Sequence, residues 1–467
     1  MPEPRTWQFT AGSAALGLAL AAAAVTVAGP WDGGQRTAER ARAAAPATGG
    51  THHAPPPAPA APRRPAPAPS APGVLTALHA PAPAGRAADL AAVLVPLLAD
   101  PGLGPLRTAS VVDTATGKQL YGEGAATPMT PASTVKIATA AAALSALGPE
   151  HRIPTTVTAA PDGAAVTLTG GGDPTLDPAR LKALADDTAR ALKARGHTSV
   201  RLAYDTSLYR GPALHPIGPN ENIAPVVALM TREGRLDDSS SGPAPRTADP
   251  ARDTAGAFAD LLTRAGIKIT GEPAPGRTPK AAPLARTDSA PLADLVERTL
   301  THSDNDLAEA LARQTALAHK QPASFQGAEK AVRDELTRLR LPLAGARFTD
   351  GSGLDRRDRV SAALLTGLLT RAADPARPAL RPLLTGLPVS GFTGTLAGRF
   401  GSDPATAGAG LVRAKTGTLS GVNTLAGTVV TADGRLLAFA FLAGRTVSPD
   451  QAQPALDRLS AALAGQN

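Results

Sequence analysis

The sequence predicts an α/β protein of more than one folded unit, and three observations predict it. At 467 residues the chain is long enough for two or three cores. Stretches with apolar residues at helical spacing alternate with short β-branched runs closed by Gly, Pro, Asn or Asp. The character of the chain also changes near Thr155 and again near Arg286, so that a mixed α/β module stands inside a second unit. The expected organisation is therefore an export signal or signal anchor over 1–30 and a disordered Pro/Ala-rich tether over 31–85. One domain is made of 86–154 and 286–467, and an accessory domain over 155–285 is inserted into it.

Composition narrows the chemistry. With aromatics at 3% and 46 residues each of Gly and Pro, the core has to be built from Ala, Leu and Val. The absence of Cys excludes disulfides, thiolate catalysis and zinc–thiolate sites. The formal net charge of +8 favours an anionic envelope, but no Lys/Arg run or basic patch with interleaved aromatics indicates nucleic acid. Phe9 to Ala28 is uncharged and follows Arg5, the pattern of an export signal, and its length also suits a membrane anchor. The following "APPPAPAAPRRPAPAPSAP" cannot bury a core and reads as an extended tether. His52 and His53 lie in it without further metal ligands nearby.

The folded elements are expected in the following order. "AADLAAVLVPLLAD" is a helix ended by Pro101-Gly102, and "RTASVVDTATGKQLYGEG" a hairpin about Thr116-Gly117. In "TPASTVKIATAAAALSALG", Thr130 reads as an N-cap, Pro131 as the first helical residue, and Gly148-Pro149 as the stop. "TTVTAAPDGAAVTLTGGG" is strand, turn, strand, and Asp177-Pro178 opens a helix running to Gly196. "SVRLAYD" and "APVVALM" read as strands, and Asp249-Pro250 opens another helix that stops at Gly266. Four helices follow Pro291, the first two joined around His302 to Asn305. Three β-rich runs, the last two joined at Asp433-Gly434, precede a closing helix from about Pro449 to Ala464.

Three short motifs carry the chemistry: Ser133-x-x-Lys136, Ser303-Asp304-Asn305 and Lys415-Thr416-Gly417. Each occurs once, at a helix start, an inter-helix loop and a strand. A serine and a lysine three apart at a helix start share one face beside a free backbone amide, which is the minimum for acyl transfer. Ser133 is the candidate nucleophile. Lys136 is the candidate base, with its pKa lowered by burial and by the charge of Lys415. Ser303 stands ready to protonate a leaving amine, and Asn305 to hydrogen-bond a substrate amide. Lys415, Thr416 and Thr418 offer a cation and hydroxyls to a terminal carboxylate, while Gly417 leaves room for an extended peptide. The amides of Ser133 and Thr418 are the candidate oxyanion donors. No metal or organic cofactor is implied.

The three motifs in this order are those of penicillin-recognising serine enzymes. With "GGGDPTL", "THSDNDLAEALARQ", "DGSGLDRRDRVS", "GFTGTLAGRF" and "RAKTGTLSGVNTLAGTVV", the chain resembles the D-alanyl-D-alanine carboxypeptidase/endopeptidases among the class C low-molecular-mass penicillin-binding proteins, in their actinobacterial form. The resemblance implies a transpeptidase/β-lactamase-like domain, an antiparallel sheet flanked by helices, with accessory sequence inserted between the first two motifs. It also implies peptidoglycan stem peptides and β-lactams as partners. Arg356 then faces the side chain of the residue before D-Ala-D-Ala, and Leu419 and Ser420 form the adjoining wall. "ALHPIGPNENI" lacks the aromatic residues the family often carries there, which weakens the expectation of contacts from the inserted part to substrate. A β-lactamase, using Glu329 or Glu335 to activate water, and a non-catalytic wall-binding or β-lactam-sensing protein remain alternatives.

Overall fold

Two sheets account for the strand content, and each lies where the sequence changes character. The computed structural model describes residues 90–277 and 282–465. The signal and tether expected over 1–85 lie outside the described residues. The elements of the first part are α1 (Leu90–Leu98), β1 (Leu106–Asp113), β2 (Gln119–Glu123) and α2 (Lys136–Leu147). Next come β3 (Pro154–Ala159), β4 (Ala165–Gly170), α3 (Pro178–Ala194), β5 (Ser199–Asp205), α4 (Pro250–Arg264), β6 (Lys268–Ile269), β7 (Ala274–Pro275) and β8 (Ala282–Asp288). The chain ends with α5 (Leu292–Thr301), α6 (Asn305–Ala318), α7 (Phe325–Arg338), α8 (Ala362–Ala373), α9 (Pro382–Thr385), β9 (Val412–Leu419), β10 (Val422–Val430), β11 (Leu436–Gly444) and α10 (Pro449–Ala464).

The first sheet is antiparallel, in the order β2-β1-β11-β10-β9. Successive side chains of a strand point to opposite faces, and β11 shows the consequence. Leu437, Phe439, Phe441 and Ala443 join the core under α1 and α10, while Ala438, Ala440 and Leu442 join the core under α2, α5 and α8. Helices therefore cover both faces. Every residue of α2 from Lys136 to Leu144 is buried, which suits its run of alanines, because small side chains let neighbouring helices approach on all sides.

The second sheet runs β6-β5-β4-β3-β8, with β3 antiparallel to β4 and β8, and β4 parallel to β5 across the α3 crossover. The capping expectations hold here: Asp177 accepts from the Arg180 amide and Asp249 from the Arg252 amide, each followed by Pro. Helices α3 and α4 share one apolar core with this sheet.

Two local expectations are corrected. Thr130 does not cap α2, because its hydroxyl accepts from Arg359 Nη1 at 2.9 Å. Ala132 takes a left-handed φ of 49°, so the chain enters through a 3₁₀ turn over Ala132–Val135 and α2 begins only at Lys136. "APVVALM" is not a strand but irregular chain, bridged once, from Asp173 to Leu229. Its apolar residues fill space instead: Val226 packs with Ile223 and Phe325, and Leu229 enters the module core.

Candidate active site

The nucleophile segment is wedged between a strand and a loop, and both contacts can be traced to single atoms. Thr424 on β10 donates through Oγ1 to the Pro131 carbonyl at 2.8 Å. Gly417, directly opposite Thr424 in the β9–β10 register, faces the same segment. A Cβ at Gly417 would overlap Thr424 Oγ1 and come within 2.7 Å of the Pro131 carbonyl oxygen. The glycine thus admits the chain that carries Ser133. On the other side, Gly353 has φ 83°, and a Cβ there would overlap the Ala132 carbonyl oxygen. Left-handed φ at non-glycine residues costs energy and is concentrated at functional sites; here Ala132 and Ser303, at 49° and 58°, both flank the reacting groups.

Lys136 is fully buried, and its ammonium has three N–H donors for three acceptors. They are Ser133 Oγ at 2.9 Å, Asn305 Oδ1 at 2.7 Å and the Ser352 carbonyl at 2.6 Å. Burial brings its pKa down to about 8, against the opposing pull of Asp350, Asp304, Glu309 and Asp358. Burial and then the charge of Lys136 hold Lys415 well below the ordinary lysine range, and the repulsion between the two ammonium groups acts on both. Near neutral pH an appreciable fraction of Lys136 is therefore neutral. Once neutral, it can accept the Ser133 proton along the contact it already makes.

The Ser352 carbonyl is set by a buried acid. Glu309 on α6 accepts the amides of Gly351 and Ser352 at 2.8 and 3.0 Å, and Asp350 accepts the Gly353 amide at 2.5 Å. His215, from the inserted part, donates through Nε2 to Asp350 at 2.9 Å. Two acid-rich triads have ligand-type atoms close together, His215–Glu309–Asp350 and Glu233–Asp304–Asp306. Their oxygens are occupied by backbone amides, His215 and Arg313 in the first case and by Arg235, Arg246, Arg298 and the amides of Ala224 and Leu307 in the second.

Ser133, Ser303, Asn305 and Thr418 line a cleft of about 280 Å³. Ser133, Ser303, Thr416 and Thr418 also border a second space of about 290 Å³ towards Thr395 and Gln453. Thr416 Oγ1 meets Thr395 Oγ1 at 2.8 Å. Lys415 lies behind the strand, buried, its Nζ donating to the Thr416 carbonyl at 2.8 Å. Arg356 is exposed and donates from Nη2 to the Ser420 carbonyl at 2.7 Å. His302 is an exposed helix-end residue that also borders the cleft.

Sequence reasoning missed the inserted part's contribution. Asn305 Nδ2 donates to the Asn222 carbonyl at 2.9 Å, and Asn222, Arg235 and Arg246 line the first cleft. The segment without aromatics thus does reach the site, through its backbone. Ser352 and Thr395 were not among the expected site residues; the glycines around Ser352 in "DGSGLD" predict a tight loop, but not the contact of its carbonyl with Lys136.

Comparison with known proteins agrees with this geometry. The model of the D-Ala-D-Ala carboxypeptidase 3 (S13) family matches residues 90–240 and 239–463. The chain is 37% identical over 426 residues to the carboxypeptidase DacB of Mycolicibacterium smegmatis, covering 88% of this chain and 89% of that one. It is 38% identical over 376 residues to the carboxypeptidase Rv3627c of Mycobacterium tuberculosis, covering 76% and 80% respectively. Among solved structures, penicillin binding protein 4 (dacB) of Haemophilus influenzae superposes with a TM-score of 0.67 at 22% identity, covering 79% of this chain and 97% of that one, a likeness of fold. With Ser133 in contact with Lys136, Lys136 in contact with Asn305, and a family match across nearly the whole described chain, this protein belongs to the D-Ala-D-Ala carboxypeptidase 3 (S13) family.

Proposed function

We propose that this serine D-Ala-D-Ala carboxypeptidase works on peptidoglycan stem peptides through an acyl-enzyme on Ser133. The observation that carries the proposal is the 2.9 Å contact between Ser133 Oγ and the Nζ of a fully buried Lys136. Neutral Lys136 takes the hydroxyl proton as Oγ attacks the carbonyl of the penultimate D-Ala. The amides of Ser133 and Thr418 receive the oxyanion. The C–N bond then breaks, and Ser303 relays a proton to the departing D-Ala amine. Water hydrolyses the ester and returns the hydroxyl to Ser133. Thr416 and Thr418 bind the terminal carboxylate, with Lys415 supplying positive potential from behind the strand.

A β-lactam offers the same kind of amide, but its leaving nitrogen stays tethered in the acyl-enzyme, so deacylation stalls. The β-lactamase alternative finds no support at Glu335, whose carboxylate is bound by Ser145, His319 and Arg338. Endopeptidase action on cross-links uses the same chemistry with a larger leaving group. Export, and retention at the envelope through Phe9 to Ala28, rest on the sequence of that segment alone. The test is mass spectrometry after incubation with benzylpenicillin, together with release of D-Ala from a peptide ending in D-Ala-D-Ala. A persistent adduct on Ser133, lost in Ser133→Ala, and D-Ala release are expected. Rapid return of the unmodified mass with hydrolysed penicillin would assign a β-lactamase instead.

A further inference from the structure

The loop carrying Ser303 and Asn305 is held by ionic groups from α5 and from the inserted part. Asp306, next to Asn305, accepts the Ala224 amide at 2.9 Å through Oδ1 and Arg246 Nη1 at 2.7 Å through Oδ2. The same Nη1 donates to the Glu233 carbonyl at 2.6 Å. The Arg246 and Asp306 side chains are only 4% and 3% exposed. Asp304, on the other side of Asn305, caps α6 through the Leu307 amide and pairs with Arg298. Arg298 in turn reaches Glu233, which also holds Arg235 at 2.8 Å. Glu233 sits at a left-handed φ of 56° and is fully buried.

We infer that Arg246 is a positioning residue for Asn305, and through Asn305 for Lys136, so that the inserted segment from Asn222 to Arg246 sets the geometry of acylation. The links are continuous. Arg246 fixes Asp306, the first turn of α6 places Asn305 between Asp306 and Asp304, Asn305 Oδ1 meets Lys136 Nζ, and Lys136 Nζ meets Ser133 Oγ. The Asn222 carbonyl holds the other end of the same amide, which fixes its flip as well as its place. An anion-binding role for the arginines is disfavoured, because Arg235 and Arg246 are already paired with carboxylates and almost closed to solvent. A direct catalytic role is disfavoured too, because Arg246 touches neither Ser133 nor Lys136 among its hydrogen bonds. The inference rests on the acyl-enzyme reading above.

Because both side-chain contacts leave from one nitrogen, a lysine ammonium can reproduce them where a neutral side chain of similar length cannot. The experiment measures benzylpenicillin acylation of the full chain, separating the rate constant at saturation from the affinity of the initial complex. It also includes a crystal structure of each variant. Arg246→Met is expected to lower the rate constant about 10- to 100-fold, the scale of a misplaced reacting group, with affinity changed less than about threefold. Arg246→Lys should return it to within about fivefold of wild type. Arg246→Met with Asp306→Asn should recover part of the loss, since it removes the stranded charge. In the Met variant's crystal structure, Asn305 Oδ1 should have left Lys136 Nζ. Wild-type acylation in Arg246→Met would overturn the inference. So would rate and affinity falling together without rescue by Lys, which marks a packing role. A wild-type chain that penicillin does not acylate would sink the functional reading alone. The crystal structure would still decide this one, and Asn305 unmoved from Lys136 would end it.

Discussion

The two walls of the cleft are built by different physics. On the strand wall, Lys415 to Thr418 are placed by backbone pairing with β10, in a register that sets Gly417 opposite Thr424 and Thr418 opposite Asn423. Its polar side chains mostly meet neutral partners, as Thr416 meets Thr395 and Thr424 meets the Pro131 carbonyl. On the loop wall, Ser303 to Asp306 hang between carboxylates and arginines drawn from α5 and the inserted part. Burial pushes Glu233 up to about 8 and Asp306 up to about 7 there, with Asp304 adding to both. A ladder of backbone bonds tolerates side-chain change unless volume is added. A network of buried charges fails when one partner is removed, since the survivor is left unpaired. The strand wall should therefore be sensitive to size and the loop wall to charge.

Lys136 meets the loop wall through Asn305 and gives the largest expected effect. Lys136→Arg keeps the charge but cannot surrender a proton near neutral pH, and removal of a general base costs about 100- to 10,000-fold in rate. Acylation of this variant measured against wild type checks it, and a loss below tenfold would mean that another group takes the Ser133 proton. The pH profile sharpens the point. Lys136 must be neutral to act, and its pKa lies at about 8. Below that value the neutral fraction falls tenfold per pH unit, so acylation should rise with pH and level off above about 8. A flat profile between pH 6 and 9 would remove Lys136 as the titrating base.

Gly417→Ala probes the strand wall by size. The added methyl has nowhere to go between Thr424 and the Pro131 carbonyl, and overpacking of this kind costs about 1–3 kcal/mol. Thermal unfolding should register the loss, and acylation should fall about 10- to 100-fold as the Ser133 segment is displaced. The contrast to watch is with Thr418, exposed on the same strand, where a change of size should leave the melting temperature alone. An unchanged melting temperature for Gly417→Ala would show that the wall yields.

The same contrast explains what the sequence revealed. Ser133-x-x-Lys136 and the strand motif are local patterns whose spacing reports their faces directly, so the placement of Ser133 beside Lys136 and of Lys415 to Thr418 on a strand was legible. The helices opened by Asp177-Pro178 and Asp249-Pro250 were legible for the same reason. The loop wall was not, because Arg246 pairs with Asp306 sixty positions away and Asn222 with Asn305 eighty-three away. One Arg among many carries no mark of its partner. "APVVALM" misled because β-branched residues serve equally well as filling between two layers, and Thr130 because the left-handed φ at Ala132 belongs to packing against Gly353 and leaves no trace in composition.

The smallest effect belongs to the rim where the walls end. The proposed partner of Arg356 is a carboxylate on the side chain of the residue before D-Ala-D-Ala. The guanidinium holds the Ser420 carbonyl through Nη2, which leaves donors for a two-point contact. It is exposed, however, and exposed pairs are worth about 0.2–1 kcal/mol, less than the buried pairs of the loop wall. Arg356→Ala should therefore lower kcat/KM about two- to fivefold for a peptide whose side chain ends in a carboxylate beside an ammonium. A peptide with a neutral side chain should be turned over as before. Salt should narrow the difference between the two peptides, because an exposed pair is screened. Equal losses on both peptides would mean that Arg356 serves only to tie its loop to the Ser420 carbonyl, and the rim would then be structural on both sides of the cleft.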